Sequence, residues 1–234
     1  MHEDIAIILT GTITPRAIYT DFTDAESRRS QYLVSINYYR EFSKVYFIEN
    51  SGYDLTGDSA FASIPNVTYI QHDPSDEFFK GKGYQEFEML DHFFLRHGHE
   101  FPGFLKITGR YRIENISGIL EDCRSVAPNE AIFERKRCNS RVAFTDVFFV
   151  TYGYYMKNIL GSYTLADDSE IRYIEHVVRH IIDQTGRTRV FKTYPIKAGI
   201  NGTTGNMIPN TMITRIARSV RNITYRFDHH HRLI

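Results

Sequence analysis

Tryptophan is missing from this 234-residue chain, cysteine occurs twice, and no apolar run approaches the length that crosses a bilayer. Each shortage excludes something. Cys123 and Cys138 are too few for a disulfide framework and lack metal-ligand spacing, which fits a reducing compartment. A membrane helix needs roughly 20 apolar residues, and none is present. The opening stretch MHEDIAIILTG sets acids ahead of a short apolar run, unlike a secretory signal. The expected setting is therefore cytoplasmic. Excess charge is lacking as well. Lys+Arg and Asp+Glu both number 28, so the net charge is zero and there is no basic footprint for nucleic acid. Neither a P-loop nor a G-x-G-x-x-G pattern occurs.

What the chain does have is 42% hydrophobic residues and 14% aromatics, carried by 17 Phe and 16 Tyr, enough for a sizeable core. IAIILTG (5–11), KVYFIENS (44–51), NVTYIQHD (66–73) and FLKI (104–107) read as short buried strands. Between them, residues 25–42 and 83–98 carry apolar side chains at helical spacing, including Phe87, Leu90, Phe94 and Leu95 in the second. Strand alternating with helix predicts an α/β fold, a mostly parallel central sheet with helices on both faces. Farther on, 130–137 and 141–152 read as flanking strands and 167–183 as a helix whose inner stripe starts at Ile171 and is capped by Asp167 or Ser169. Residues 189–206 read as a strand entering the loop NGTTGN, able to fold over a ligand. Residues 210–227 read as a basic amphipathic helix. With no repeat or linker, one domain spanning 1–234 is expected.

In such a sheet, ligands sit beyond the carboxyl ends of the strands, where strand order reverses. Three of those ends are rich in hydroxyls and amides. Thr10, Gly11 and Thr12 follow the first strand and should approach a nucleotide; Asn50 follows the second, near base or ribose. Thr108, Gly109, Arg110 and Tyr111 follow the fourth. KGKG (80–83) opens a helix, so backbone N–H groups near Gly83 with Lys80 or Lys82 form a natural diphosphate seat, or else an ordinary solvated turn. Strand alternation through KITGRY would put Lys106, Thr108 and Arg110 on one face. Arg110 then either forks onto phosphate oxygens or serves a structural ion pair with a neighbouring acid.

ILTGTITP, RRSQYLVSINYY, VYFIENSGYDL, KGKGYQEFEMLD and FLKITGRYRIEN, in that order, resemble a group of bacterial polysaccharide glycosyltransferases with a GT-A-like fold. The resemblance covers residues 5 to about 115. It implies a nucleotide-sugar-binding half (1–115) and an acceptor-side half (116–234) with the C-terminal helix. It also implies transfer from a nucleotide-sugar donor to a glycan or lipid-linked acceptor. In GT-A enzymes generally the strand occupied here by FLKITGRY usually ends in Asp-x-Asp, which binds a divalent metal. This chain has no Asp-x-Asp. No metal ligands are assigned and no cofactor is expected to be required, a divalent metal being the alternative; Arg110 with Lys106 or Lys82 would take the metal's part on the diphosphate. An inverting enzyme would need a base, for which Asp146 and Glu175 are the candidates. The basic C-terminal helix, with Arg215, Arg218 and Arg221, is compatible with peripheral contact at the inner membrane face.

Overall fold

The computed structural model describes residues 5–16, 22–134 and 143–200, together with Ile213, Ile216, Ala217 and Val220 of a further helix. IAIILTG forms β1 (Ile5–Gly11), buried at all seven positions. A strand covered on both faces is expected to run apolar rather than alternate, and this one does from Ile5 to Leu9. α1 (Ala25–Tyr39) starts where the Asp24 carboxylate accepts the Ser27 N–H at 2.8 Å, and it buries Tyr32, Ile36 and Tyr39. Next come β2 (Val45–Glu49), fully buried, the short α2 (Ser59–Ala62), β3 (Val67–Gln71), half exposed, α3 (Lys82–His97) and β4 (Gly103–Thr108). The chain continues through β5 (Tyr111–Ile113), α4 (Ile116–Arg124), β6 (Ala131–Glu134), β7 (Phe144–Thr151), α5 (Tyr152–Tyr154), α6 (Ile174–Thr185), β8 (Thr188–Val190) and β9 (Lys197–Gly199).

Seven strands form one sheet in the order β3-β2-β1-β4-β7-β6-β8. β1 to β4 run parallel, and β7 lies antiparallel to both β4 and β6. β5 and β9 make a separate antiparallel pair. The fold is the expected α/β one, mostly parallel. The chain steps outward from β1 to β3 and then returns to β4 on the other side of β1. Strand order therefore reverses between β1 and β4, and the carboxyl ends at such a reversal are where open α/β sheets bind ligands.

Side chains alternate between two cores. Ile7, Leu9, Leu105 and Ile107 pack with Tyr32, Ile36 and Tyr39 of α1; Ala6, Ile8, Phe104 and Phe148 pack with Phe87, Leu90 and Phe94 of α3. Most of the aromatic content is spent here. Tyr39, Tyr154 and Tyr155 are fully buried, and the Phe94 and Tyr155 rings stack with centroids 3.6 Å apart.

Two expectations are corrected. Leu95 points to solvent, because α3 needs only one stripe against the sheet. The helix expected from 167 begins at Ile174. Asp167 caps only a 3-10 turn, Asp168–Glu170, and Ile171 then takes a left-handed conformation with φ 59°, which ends the turn. The loop 201–206 and most of 210–227 lie outside the described residues, as do Cys138 and the ends of two expected strands at 135–137 and 141–142.

Candidate functional site

The loop after β1 is held by β2 and α1. Glu49 ends β2 without exposure, and its carboxylate accepts the N–H groups of Ile13 (2.8 Å), Ser51 (3.0 Å) and Tyr53 (3.2 Å) and the Ser51 hydroxyl. Burial pushes the Glu49 carboxyl above its ordinary range, against the pull of those donors. Asn50 receives the Thr12 hydroxyl at 2.6 Å and donates to the Gln85 carbonyl of α3 at 3.4 Å. Arg28, from α1, donates to the carbonyls of Thr12 and Phe22, while the Thr12 N–H donates to the Tyr32 hydroxyl at 2.9 Å. Thr10 and Asn50 are buried and already committed within the protein. Thr10 donates to Glu86 at 2.5 Å.

β4 ends in two cations that part company. Lys106 is fully buried and lies on the α3 side, 2.7 Å from Glu86, 2.6 Å from the Thr145 carbonyl and 3.2 Å from the Thr108 hydroxyl. The strand stops at Thr108. Gly109 comes so near β1 that a Cβ there would stand 2.7 Å from the Thr10 carbonyl oxygen, which explains why the turn uses glycine. After that turn Arg110 lies on the α1 side, with the Phe22 and Tyr32 ring centroids at 5.6 and 6.0 Å. The expected shared face of Lys106 and Arg110 is thus corrected, because alternation holds only while the strand lasts. Arg110 is 4% exposed, and its one hydrogen bond among the described residues is to the neutral Gln31 Oε1 at 3.3 Å. Burial, with the Arg28 charge adding to it, lowers its pKa. Neither buried arginine has a carboxylate partner among the described residues, so the structural ion pair weighed for Arg110 is not found there. Tyr111 is buried in the core, and its carbonyl accepts the Tyr39 hydroxyl at 2.9 Å.

The seat expected at KGKG is taken by the chain itself. Asp168 accepts the Lys82 backbone N–H, and Gly81, at φ 102°, leaves room where a Cβ would stand 2.0 Å from Asp168 Oδ2. Gly83 likewise admits Ile174. These glycines serve packing, and Asp168 supplies the negative charge that the start of α3 favours. Lys80 pairs with Glu77 at 3.0 Å.

In the second half of the chain, the register pairing Ile107 with Val147 brings Asp146 beside Thr108. Lys197 of β9 holds Asp146 at 2.9 Å and Glu134 at 2.6 Å. Burial alone would lower Lys197, but those two carboxylates hold it above its ordinary value. Burial raises Glu175, and the charges of Asp146, Glu86 and Asp168 add to the effect. The two base candidates thus lie in one electrostatic neighbourhood, Asp146 ion-paired with Lys197 and Glu175 with its carboxyl held above its ordinary range. Among the described residues, no three His, Cys, Asp or Glu side chains converge to hold a metal ion. The donor set for the divalent ion that such folds often carry is not assembled there.

Sequence reasoning passed over Arg28, Glu49, Glu86 and Lys197. Arg28 and Glu86 sit on helix faces that periodicity alone marks as ordinary polar positions. A signal existed for Glu49: an acid closing an otherwise apolar strand must be satisfied by its neighbours.

No protein-family model matches the chain, and no curated protein does either. Solved structures do. A candidate nucleotide-diphospho-sugar transferase from Desulfovibrio desulfuricans G20 superposes with a TM-score of 0.51 at 9% identity, covering 80% of this chain and 78% of that one. Two others fall just below: the glycosyltransferase GlyE of Streptococcus pneumoniae TIGR4 and a candidate glucose-1-phosphate thymidylyltransferase from Bacillus anthracis, each with a TM-score of 0.49. Identities are 9% and 10%; this chain is covered to 80% and 95%, and theirs to 45% and 95%. At such identities likeness reaches the fold alone: this chain has the GT-A-like α/β architecture found in a nucleotide-diphospho-sugar transferase.

Proposed function

We propose that the chain transfers a sugar from a nucleotide-sugar donor to a glycan or lipid-linked acceptor, as in surface polysaccharide synthesis. The observation that carries this is Arg110: a buried guanidinium near Arg28, with no acid partner among the described residues, at the carboxyl end of β4. Burying unpaired positive charge is costly, and an anionic ligand would remove the cost. The carboxyl ends of β1 and β4 are where an open sheet binds a nucleotide. The donor's diphosphate would lie against Arg110, with the backbone of Gly11 and Thr12 beside it.

In the inverting case the acceptor hydroxyl oxygen bonds to the anomeric carbon while its proton passes to Glu175 or Asp146. The bond from that carbon to the diphosphate breaks, and the nucleoside diphosphate leaves with the electron pair. Arg110 would meet the charge that develops on it, with no metal required. The cytoplasmic setting and a membrane contact through the C-terminal helix belong to the same proposal; among the described residues no helix is long and apolar enough to cross a membrane.

A thermal-shift panel of nucleotides and sugar nucleotides, run with Mn²⁺, Mg²⁺ or EDTA, tests the reading. A true ligand at about 100 times its Kd stabilises by roughly 2.7 kcal/mol. Selective stabilisation by one nucleotide, kept in EDTA, is expected. A flat panel would favour a non-catalytic binding module on a transferase fold.

A further inference from the structure

Lys197 carries one positive charge to two carboxylates. Its ammonium lies 2.6 Å from Glu134 at the end of β6, 2.9 Å from Asp146 in β7 and 5.7 Å from the Phe144 ring centroid. One acid would neutralise it. Glu134, with a side chain 5% exposed, does so as the inner half of a buried pair. Asp146 is then a second acid on the same ammonium, and at 39% side-chain exposure it is the one a ligand can reach. A staple between β9 and β6 needs no such addition. A second like charge beside a buried one is unfavourable unless it serves something.

The β6–β7 ladder breaks where these groups meet. Phe133 pairs with Phe148, yet the next residue, Glu134, pairs with Phe144, so Thr145, Asp146 and Val147 fall within the break. Such irregularities re-aim side chains and are common beside active sites. Here the Thr145 carbonyl turns to Lys106, at 2.6 Å, and Asp146 meets Lys197. The β4 register continues past the same point, Ile107 with Val147, so Asp146 stays beside Thr108, which pairs with Thr10 of β1. Lys197 is fixed by its own strand. It pairs with Ile113 of β5, and its neighbour Ile196 accepts the Glu114 N–H and donates to Asn115 Oδ1, both at 2.9 Å. Because β5 starts directly after Arg110, one short strand pair links the buried guanidinium to these acids.

We propose that Lys197 is a positioning residue that holds the Asp146 carboxylate charged and in place at the end of β4. This rests on the proposed transfer, in which Asp146 or Glu175 takes the acceptor's proton. The charged groups around Asp146 are Lys197 of β9, Glu134 of β6 and Glu175 of α6, with Glu86 of α3 and Lys106 of β4 close by and Asp168 near Glu175. Lys106 is taken up by Glu86 and the Thr145 carbonyl. Lys197 is therefore the cation that offsets Asp146. Through Asp146 it also bears on Glu175, whose carboxyl burial raises first and the Asp146 charge raises further.

The test removes the cation without stranding Glu134. Lys197→Met with Glu134→Gln takes out the buried pair as a unit, and thermal melting checks that the variant folds. Side-chain carboxyl NMR follows Asp146 against pH, its signal identified by its loss in Asp146→Asn. The midpoint should move up by about one pH unit or more, the effect of losing an adjacent cation. Turnover of the sugar nucleotide selected by the thermal-shift panel should fall about a hundredfold, as when a reacting group is misplaced by about 1 Å, with donor affinity unchanged. Lys197→Arg should keep the native midpoint and most of the turnover. Glu134→Gln alone should move the midpoint down, because it removes the competing acid. A midpoint that neither variant moves would overturn the inference, as would turnover that falls only in step with donor affinity. If the native chain turns over no sugar nucleotide, the transfer reading falls, and the Asp146 midpoint still decides whether Lys197 holds that carboxylate.

Discussion

Lys106 and Arg110 stand on opposite faces of one sheet, Lys106 against Glu86 of α3 and Arg110 against Gln31 of α1. The turn at Gly109 separates them, and it also separates their fates. Lys106 is satisfied by a carboxylate, a carbonyl and a hydroxyl, whereas among the described residues Arg110 has one neutral acceptor and two aromatic rings.

That contrast makes Arg110 the residue to change first. Arg110→Met should leave the melting temperature unchanged or raised, since it removes a buried charge lacking an acid partner among the described residues. Affinity for a nucleoside diphosphate should fall about 10–100-fold, the worth of a charge-assisted hydrogen bond. Arg110→Lys should recover only part, because an ammonium keeps charge without the planar fork. Calorimetric titration showing unchanged affinity in Arg110→Met would remove this residue from the site.

Lys106 should behave in the opposite sense. Lys106→Met leaves the Glu86 carboxylate without its buried partner and should destabilise by roughly 2–4 kcal/mol in urea. Adding Glu86→Leu should return a good part of that loss, because the stranded charge goes with it. A double variant no more stable than Lys106→Met would mean that Lys106 matters through packing alone.

Gly81 tests the account of KGKG. Gly81→Ala forces a Cβ against the Asp168 carboxylate at a positive φ and should cost at least about 1–3 kcal/mol. Asp168→Ala alone should cost about 1 kcal/mol, the usual worth of a cap. In the Asp168→Ala background the glycine substitution should cost less, and simple additivity would show that the two do not meet in solution.

His72 sets an expected pH dependence. Burial, followed by the charges of His92 and Arg96, brings its pKa down from 6.5 to about 4, against the opposing pull of Asp73, and its Nε2 has no hydrogen-bond partner among the described residues. Between those values the unfolded chain binds more protons than the folded one. Stability contributed by neutral His72 is therefore present above pH 6.5 and is lost as the pH falls toward 4. Solvent at the ring reduces the loss to the order of 1–2 kcal/mol. His72→Phe should flatten the stability curve over that window, and an unchanged slope would assign the acid sensitivity elsewhere.

Glu175 and Asp146 divide by environment. If the enzyme inverts, Glu175→Gln should cut turnover about 10²–10⁴-fold with donor affinity preserved, as loss of a general base does. Asp146→Asn should in addition loosen β9, since Lys197 would keep only Glu134. Full turnover in both variants would dismiss the pair.

Much of the architecture could be read from the chain because the parallel strands are buried on both faces. IAIIL and VYFI are apolar at every position, and each strand stops at a polar or glycine residue. The polar strand ends were legible for the same reason, and Thr10, Asn50, Lys106 and Arg110 do stand at the carboxyl edge of the sheet. The helix start at Ile174 was not, because Ile171 fits the apolar spacing while its backbone turns the other way.

The sequence by itself determined which segments become strands and helices, since two-residue and 3.6-residue periodicities are local properties of the chain. Only the tertiary structure decided which donors remain free. Whether Lys106 or Arg110 meets a carboxylate depends on α3 and α1, which lie at remote positions in the chain and on opposite sides of the sheet. The glycines of KGKG were settled in the same way. Nothing within that tetrapeptide says that Asp168, from far along the chain, would arrive to cap the helix before any ligand could.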